Sequence, residues 1–249
     1  LSNAWLVGLG AEPRRQDHAA TAVAFGYRFV QAEVTSIDRE RRVIATRDGT
    51  LAYDWLVLAP GVRNDYTAWF GNDTSAAAAA RERYPAGVHA EELAALKRKI
   101  AEFKGGDFAM VLPPGPSRCP PAPYERAVMA AWAFRRRGLK ARILVIDPGG
   151  GMQAFNRVFA ERYADMIVHM THAQVKAVDP FRRTIATEFD DIGFDDAILM
   201  PPQQAADLAW RAGLVAESAE RPSAWAAIDP LRLNVPGDER VFLAGDLID

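Results

Sequence analysis

The 249-residue chain holds a single cysteine, Cys119, so no disulfide can close within it, and cysteine usage does not separate a reducing from an oxidising compartment. No run approaches the roughly 18 to 20 apolar residues that a spanning helix requires, which argues against a transmembrane segment. Excess charge is missing as well. Thirty Lys and Arg face 32 Asp and Glu, for a formal net charge of -2, and the basic residues are scattered, so nucleic acid is not an expected partner. There is no G-x-G-x-x-G turn, no C-x-x-C-H haem signature and no internal repeat. The chain starts at Leu1 without methionine or a recognisable leader and stops at Asp249 just after the apolar run Val241 to Ala244. It therefore reads as a piece of something longer. What is present, 49% hydrophobic and 25% charged residues, suits a globular protein of one large or two ordinary domains.

Residues 27–60 alternate and break as β-structure, with Asp48-Gly49 as a hairpin turn and the apolar run Trp55 to Ala59 entering a buried sheet before Pro60-Gly61. Residues 62–88 read as a connection, and the Ala76 to Ala80 tract as either a helical turn or a low-complexity loop. From Glu91, the spacing of Leu93, Leu96, Ile100 and Phe103 predicts a helix stopped by Gly105-Gly106, followed by a strand from Phe108 to Leu112. Tyr124, Val128, Ala131 and Phe134 predict a second helix ended by Gly138, and "RILVID" a second strand. A helix over about 153–165, short strands near 167–171, 174–179, 183–188 and 194–200, a helix over 204–214 and the strand "RVFLAGD" complete the pattern. The fold class is α/β, Rossmann-like, with a parallel sheet plus an antiparallel β-meander.

Between the first predicted strand and helix of this βαβ unit lies "PPGPSRCPPAPYERA", residues 113–127. A dinucleotide-binding turn needs glycines because pyrophosphate approaches the backbone and accepts hydrogen bonds from free N–H groups. Proline removes those donors, and five prolines fall between Pro114 and Pro123. The strand-turn-helix geometry is kept while the phosphate cradle is given up. Cys119 sits beside Arg118 just ahead of the predicted helix, where a cation and a helix N-terminus both favour thiolate. This is a nucleophilic or redox setting; the alternative is a small buried hydrophobe.

At "SRCPPAPYERA" the sequence resembles the flavoprotein subunit of flavocytochrome c sulfide dehydrogenase, a relative of sulfide:quinone oxidoreductases among the two-dinucleotide-binding-domain flavoproteins. "LSN" at the start, "YDWLVLAPGV" at 53–62, "LMPPQQA" at 199–205, "SAWAAID" at 223–229 and "FLAGD" at 242–246 stand in the same order and spacing, so the likeness covers nearly the whole chain. The resemblance implies that Leu1 to Asn3 are native residues. It implies a partial FAD-binding domain at residues 1–80, its first βαβ missing, an NAD(P)-binding-like Rossmann domain at 81–205, and a return to the FAD domain at 206–249. It implies FAD for the whole protein, with a folded but flavin-free fragment as the alternative, and it makes Ala59, Pro60 and Gly61 the turn beside the cofactor, Val34 a backbone contact near the adenine, and Gly245 and Asp246 the turn whose carboxylate meets the ribityl chain. It makes Cys119 the catalytic thiol over the flavin, a c-type cytochrome subunit the separate electron acceptor, a small sulfur compound the substrate, and a bacterial periplasm the location. One departure matters. The family pairs its cysteine with a second, in the segment where this chain has Ala226, so the disulfide relay cannot close in the same way. A quinone-reducing relative and a non-catalytic flavin- or partner-binding module are therefore carried as alternatives.

Other candidates are weaker. His169 and His172 in "VHMTH" have no cysteine or carboxylate at a partner spacing, so no metal site is expected. Asp147, at the end of "ILVID", stands where a carboxylate would bind ribose, but with the glycine turn lost it reads as a loop cap. Asp190-Asp191 and Asp195-Asp196 read as solvated turn carboxylates. Trp225 is open between flavin packing and an interface filler.

Overall fold

The computed structural model describes residues 3–217 and 222–248; Leu1, Ser2 and Asp249, used as landmarks above, lie outside them. The chain forms two compact units, Leu1–Pro13 with Asn64–Gln203, and Arg14–Arg63 with Gln204–Asp249. The divisions therefore fall at 63/64 and 203/204, and residues 64–80 and the first thirteen group with the middle of the chain. Asn3 is one reason. It is buried, donates to Ala122 O at 3.2 Å and to Glu125 Oε2 at 2.6 Å, and accepts from Arg126 Nε at 3.3 Å.

The first unit is built on four parallel strands in the spatial order Asp196–Leu199, Gly106–Val111, Ala141–Ile146, Ile167–Met170. Helix Ala122–Arg136 joins the second of these to the third, and helix Gln153–Arg162 the third to the fourth. Period-two alternation divides the strand side chains between two faces. On one face Ala109, Val111, Leu144, Ile146, Ala197 and Leu199 cluster with Val178, Ile185 and Ile192 of an antiparallel meander, Val175–Asp179, Thr184–Thr187 and Asp191–Gly193. On the other, Phe108 packs at 5.1 Å from Phe103 and 5.4 Å from Phe134. Helix Ala122–Arg136 buries Tyr124, Ala127, Ala130, Ala131 and Phe134 and ends at Gly138, whose φ of 66° gives the left-handed turn that glycine accepts without strain.

In the second unit, strands Val34–Asp38, Val43–Thr46 and Gly49–Ala52 form an antiparallel sheet around the expected Asp48-Gly49 turn. A second sheet sets Leu56–Leu58 parallel to Asp238–Leu243, with Asn234–Val235 on its far side. Ile37, Leu56, Leu58, Val241, Leu243 and Leu247 share the core.

Three local expectations differ from the structure. The strand drawn from Tyr27 begins only at Val34, and upstream His18–Phe25 is helical, with the Asp17 carboxylate accepting from Ala19 and Ala20 N–H. The 62–88 connection contains strand Val62–Asn64 and helices Thr67–Phe70 and Thr74–Arg83. Its alanine tract is helical because Asp73 caps the first turn through Ala76 N–H at 2.9 Å and Arg81 and Arg83 complement the dipole of the last. The single helix over 204–214 is strand Gln203–Ala205 and then helix Asp207–Arg211, since Ala206 is extended at ψ 156°.

Candidate functional site

A doubly wound sheet opens its ligand crevice at the carboxyl ends of the strands where the strand order reverses. Here that place lies between Gly106–Val111 and its neighbour Asp196–Leu199. The chain leaves the first strand as the proline-cysteine turn and the second as Met200 to Gln203. Cys119 is exposed. Its φ of 51° is a left-handed conformation unusual for a non-glycine residue, and its carbonyl accepts from Ala122 N–H at 2.9 Å at the head of the helix. It borders a cavity of about 170 Å³ also lined by Gly87, Arg118, Arg126, Met200 and Gln203. Of the two readings of this cysteine, the structure rejects the buried hydrophobe.

Arg126, only 4% exposed, stands over this cavity. Its Nη1 donates to Ala86 O at 2.9 Å and its Nη2 to Gly87 O at 3.0 Å. Burial lowers its pKa to about 10, against the pull of Glu92 and Glu125. Gly87, at φ 69°, leaves room for the guanidinium that no side chain would: a Cβ there would lie 2.8 Å from Arg126 Nη1. Arg118 N–H donates to Gln203 Oε1 at 2.7 Å, tying the turn to the chain that leaves the neighbouring strand.

A second cavity, of about 240 Å³, lies on the other side of the same turn, between Pro113, Ser117, Tyr124, Asp147 and Gly149. Asp147 is 2% exposed. Its Oδ1 accepts from Gly149 N–H at 2.8 Å, the expected loop cap. Its Oδ2 accepts at 2.8 Å from both Tyr124 Oη and His169 Nε2, an arrangement the sequence reading did not include. Burial pushes the Asp147 carboxyl up, but the bonds from His169, Tyr124 and Gly149 outweigh it and hold the group below the usual carboxylate value. Burial, then the bond to Asp147, drives the Tyr124 phenol upward. Three of the roughly four acceptor sites of this carboxylate are taken by groups of the protein itself. His169 thus has a carboxylate partner after all, from 22 residues upstream, and it is a hydrogen-bond acceptor. His172 N–H donates to Gly149 O at 2.8 Å.

The expected cofactor residues all belong to the second unit. Leu58 pairs in parallel register with Leu243, and Ala244 N–H donates to Leu58 O at 3.0 Å. This sets Ala59-Pro60-Gly61 beside Gly245-Asp246 at the carboxyl ends of two adjacent strands. Gly61 at φ 76° and Gly245 at φ 81° have no atom within 4 Å of a Cβ position, so both turns face open space and Asp246 is exposed between the solvent and the strand ends. These residues fit a ligand laid across both turns that offers hydroxyls to a carboxylate. Val34 opens its strand, half-buried, opposite Thr46. Trp225 and Ala226 are buried, and Ala226 lies in the core of this unit with its N–H donating to Leu247 O at 2.9 Å. Cys119 belongs to the first unit.

Of the paired acids, Asp195 Oδ2 accepts from Asp107 N–H at 2.8 Å and Asp196 pairs with Lys99, whereas Asp190 and Asp191 are exposed, as expected of turn carboxylates. Sequence reasoning passed over Arg126, Gln203 and Tyr124 as site residues. Arg126 had a signal: a charge four residues before Ala130 on the apolar side of a helix.

Residues 93–201 match the family model of the central part of the flavoprotein chain of sulfide dehydrogenase (flavocytochrome c). Among solved structures, the chain is similar to the sulfide:quinone oxidoreductase of Aquifex aeolicus, with a TM-score of 0.73 and 22% identity over 91% of this chain and 54% of that one. It is similar to the water-forming NADH oxidase of Lactobacillus brevis (TM-score 0.68, 18% identity, 99% of this chain and 53% of that one). It also resembles a NAD-dependent persulfide reductase from A. fulgidus (TM-score 0.66, 17% identity, 99% and 45%). The chain spans about half the length of these structures. The family match is confined to that central segment, and over nearly the whole chain the fold is the mixed α/β fold shared with these solved structures.

Proposed function

We propose that the whole protein is an FAD-dependent oxidoreductase of the sulfide dehydrogenase type, in which Cys119 meets a reduced sulfur compound and a separate c-type cytochrome accepts the electrons. The observation that carries this reading is the exposed Cys119 on a rigid turn at the switch point of the sheet, within the segment that matches the family, bordering a cavity that holds a buried cation. Proline fixes the turn, so the thiol is presented in one place. Arg126 supplies positive charge to an anionic sulfur species, and Gln203 holds the turn through Arg118 N–H. In the other unit, Ala59 to Gly61, Val34, Gly245 and Asp246 would hold FAD, with Asp246 accepting from ribityl hydroxyls. When bound, the flavin supplies a two-electron acceptor. Among the described residues no helix is long and apolar enough to cross a membrane, and a periplasmic location accompanies the cytochrome partner in this proposal.

The test is sulfide-dependent reduction of cytochrome c by the full-length protein, with its visible absorption recorded first. Flavin bands and activity that falls at least a hundredfold in Cys119→Ser support the reading. No flavin bands would remove the cofactor, and equal rates in the two proteins would remove Cys119 from the chemistry. Reduction of a quinone in place of cytochrome c would replace the acceptor.

A further inference from the structure

Two buried polar side chains line the Cys119 cavity with donors to spare. Of the five N–H groups of Arg126, three go to Ala86 O, Gly87 O and Asn3 Oδ1, and a fourth faces Met200 Sδ at 3.9 Å. None of these partners is a carboxylate. The nearby acids are engaged elsewhere: Glu92 accepts from Ala86, Val88 and His89 N–H, and Glu125 from Asn3 Nδ2. A buried guanidinium without an ion-paired carboxylate is costly. Gln203 is 6% exposed. Arg118 N–H fixes its Oε1, while its Nε2 donates no hydrogen bond among the described residues, leaving two N–H donors on a side chain that lines the same cavity. At about 170 Å³ the space is well under the roughly 300 to 1,000 Å³ of drug-sized ligand sites. It suits a few heavy atoms, several of them acceptors, carrying negative charge, next to a thiol.

We propose that this cavity binds a small sulfur oxyanion of the thiosulfate class, and that Cys119 accepts its sulfane sulfur. The oxyanion end meets Arg126 and Gln203, which places the outer sulfur toward the thiol. The Cys119 thiolate forms a bond to that sulfur, the S–S bond of the anion breaks, and its electron pair leaves with sulfite. A thiolate and a thiosulfate dianion become a Cys119 persulfide and a sulfite dianion, with charge conserved and no outside oxidant. Such exchange at sulfur is the ordinary chemistry of thiolates, and it needs one cysteine, the number this chain has. The proposal shares with the preceding reading Cys119 and the Arg126 charge in this cavity, and requires no flavin.

The test incubates the purified protein with thiosulfate, measures the mass of the Cys119 peptide, and then adds cyanide to release thiocyanate. The expected result is one added sulfur atom on Cys119, saturating with thiosulfate, absent in Cys119→Ser, and needing about tenfold more thiosulfate in Gln203→Leu, the loss of one bond to a charged ligand. Arg126→Met is expected to lose saturation; should it fail to fold, Gln203→Leu still decides. Protection of Cys119 from iodoacetamide by sulfite, weakened in Gln203→Leu, is the binding readout. No added sulfur overturns the proposal, as does the same thiosulfate dependence in wild type and Gln203→Leu. Flavin bands and sulfide-driven cytochrome reduction without sulfur transfer would overturn this inference alone, whereas sulfur transfer by a protein without flavin would overturn only the dehydrogenase reading.

Discussion

Replacing Tyr124 by Phe removes one hydroxyl from the Asp147 centre and leaves the packing in place. The ring stays stacked on Phe155 at 5.6 Å and beside Phe159 at 6.5 Å. Asp147 Oδ2 loses the 2.8 Å bond from Tyr124 Oη and keeps that from His169 Nε2, while Oδ1 keeps Gly149 N–H. A hydrogen bond to a charged group contributes about 1.5 to 3 kcal/mol, and this carboxylate is only 2% exposed. Unfolding free energy at pH 7 should therefore fall by about 2 kcal/mol, read by equilibrium urea unfolding. The pH profile adds a second signature. The folded Asp147 value lies below its unfolded one, so its stabilisation is present above the unfolded value of about 3.9 and is lost as pH falls through the folded value. Tyr124→Phe weakens that depression, so acid destabilisation begins at higher pH. The raised Tyr124 phenol acts at the opposite end: its stabilisation is whole below the unfolded value of about 10 and fades as pH rises through the folded one, a limb the variant lacks. A change under about 0.5 kcal/mol with both limbs intact would refute the reasoning, because a charge-assisted bond to this carboxylate does not come so cheaply.

Phe134→Ala should cost about 3 to 5 kcal/mol, since the ring is fully buried between Phe103 at 4.9 Å and Phe108 at 5.4 Å; thermal unfolding checks it, and a loss under 1 kcal/mol would mean that the aromatic cluster does not form. Gly87→Ala combines a φ of 69° with a Cβ 2.6 Å from Leu96 Cδ2 and 2.8 Å from Arg126 Nη1, so at least about 1 to 2 kcal/mol is lost; wild-type stability in the variant contradicts the geometry. NADH should bind more weakly than about 1 mM, because the turn after the first strand has prolines where donors are needed and Asp147 is buried and already bonded by Tyr124, His169 and Gly149. A fluorescence titration that saturates in the micromolar range would show otherwise.

The centre of the parallel sheet was legible because residues 108–111 and 143–146 are continuously apolar and buried and glycines bound the elements around them. Gly105-Gly106 sits at φ 122° and 95° and Gly138 at 66°, positions where a glycine in the sequence marks a conformation that other residues avoid. The helix His18–Phe25 was not legible for the complementary reason. Among its described side chains only Ala22 is buried, so no apolar stripe distinguishes it, and a single cap at Asp17 was the one available signal. The grouping of the first thirteen residues with the middle unit reflects Asn3 reaching residues 122 to 126 and Lys97 lying over the Trp5 ring, contacts made at separations that no local pattern encodes.

The same distinction runs through the candidate site. The proline turn and its thiol could be read because both are consequences of local chain chemistry: prolines remove backbone donors wherever they stand. The environment of that thiol could not. Arg126 is seven residues from Cys119, yet what makes it a cavity cation is the carbonyls of Ala86 and Gly87, some forty residues away. Asp147 shows both cases in one side chain. Its bond to Gly149 N–H, two residues on, follows from the sequence as a loop cap. The bonds from Tyr124 and His169 arise because parallel pairing of Ala141–Ile146 with Ile167–Met170 puts His169 opposite Val145, and the crossover helix starts at the strand ends with Tyr124 in its first turn. A buried carboxylate at the end of a central strand must find donors, and which donors it finds depends on the topology. Here they come from within the unit, and a position at which dinucleotide folds read a ribose has been turned into a packed, charged joint.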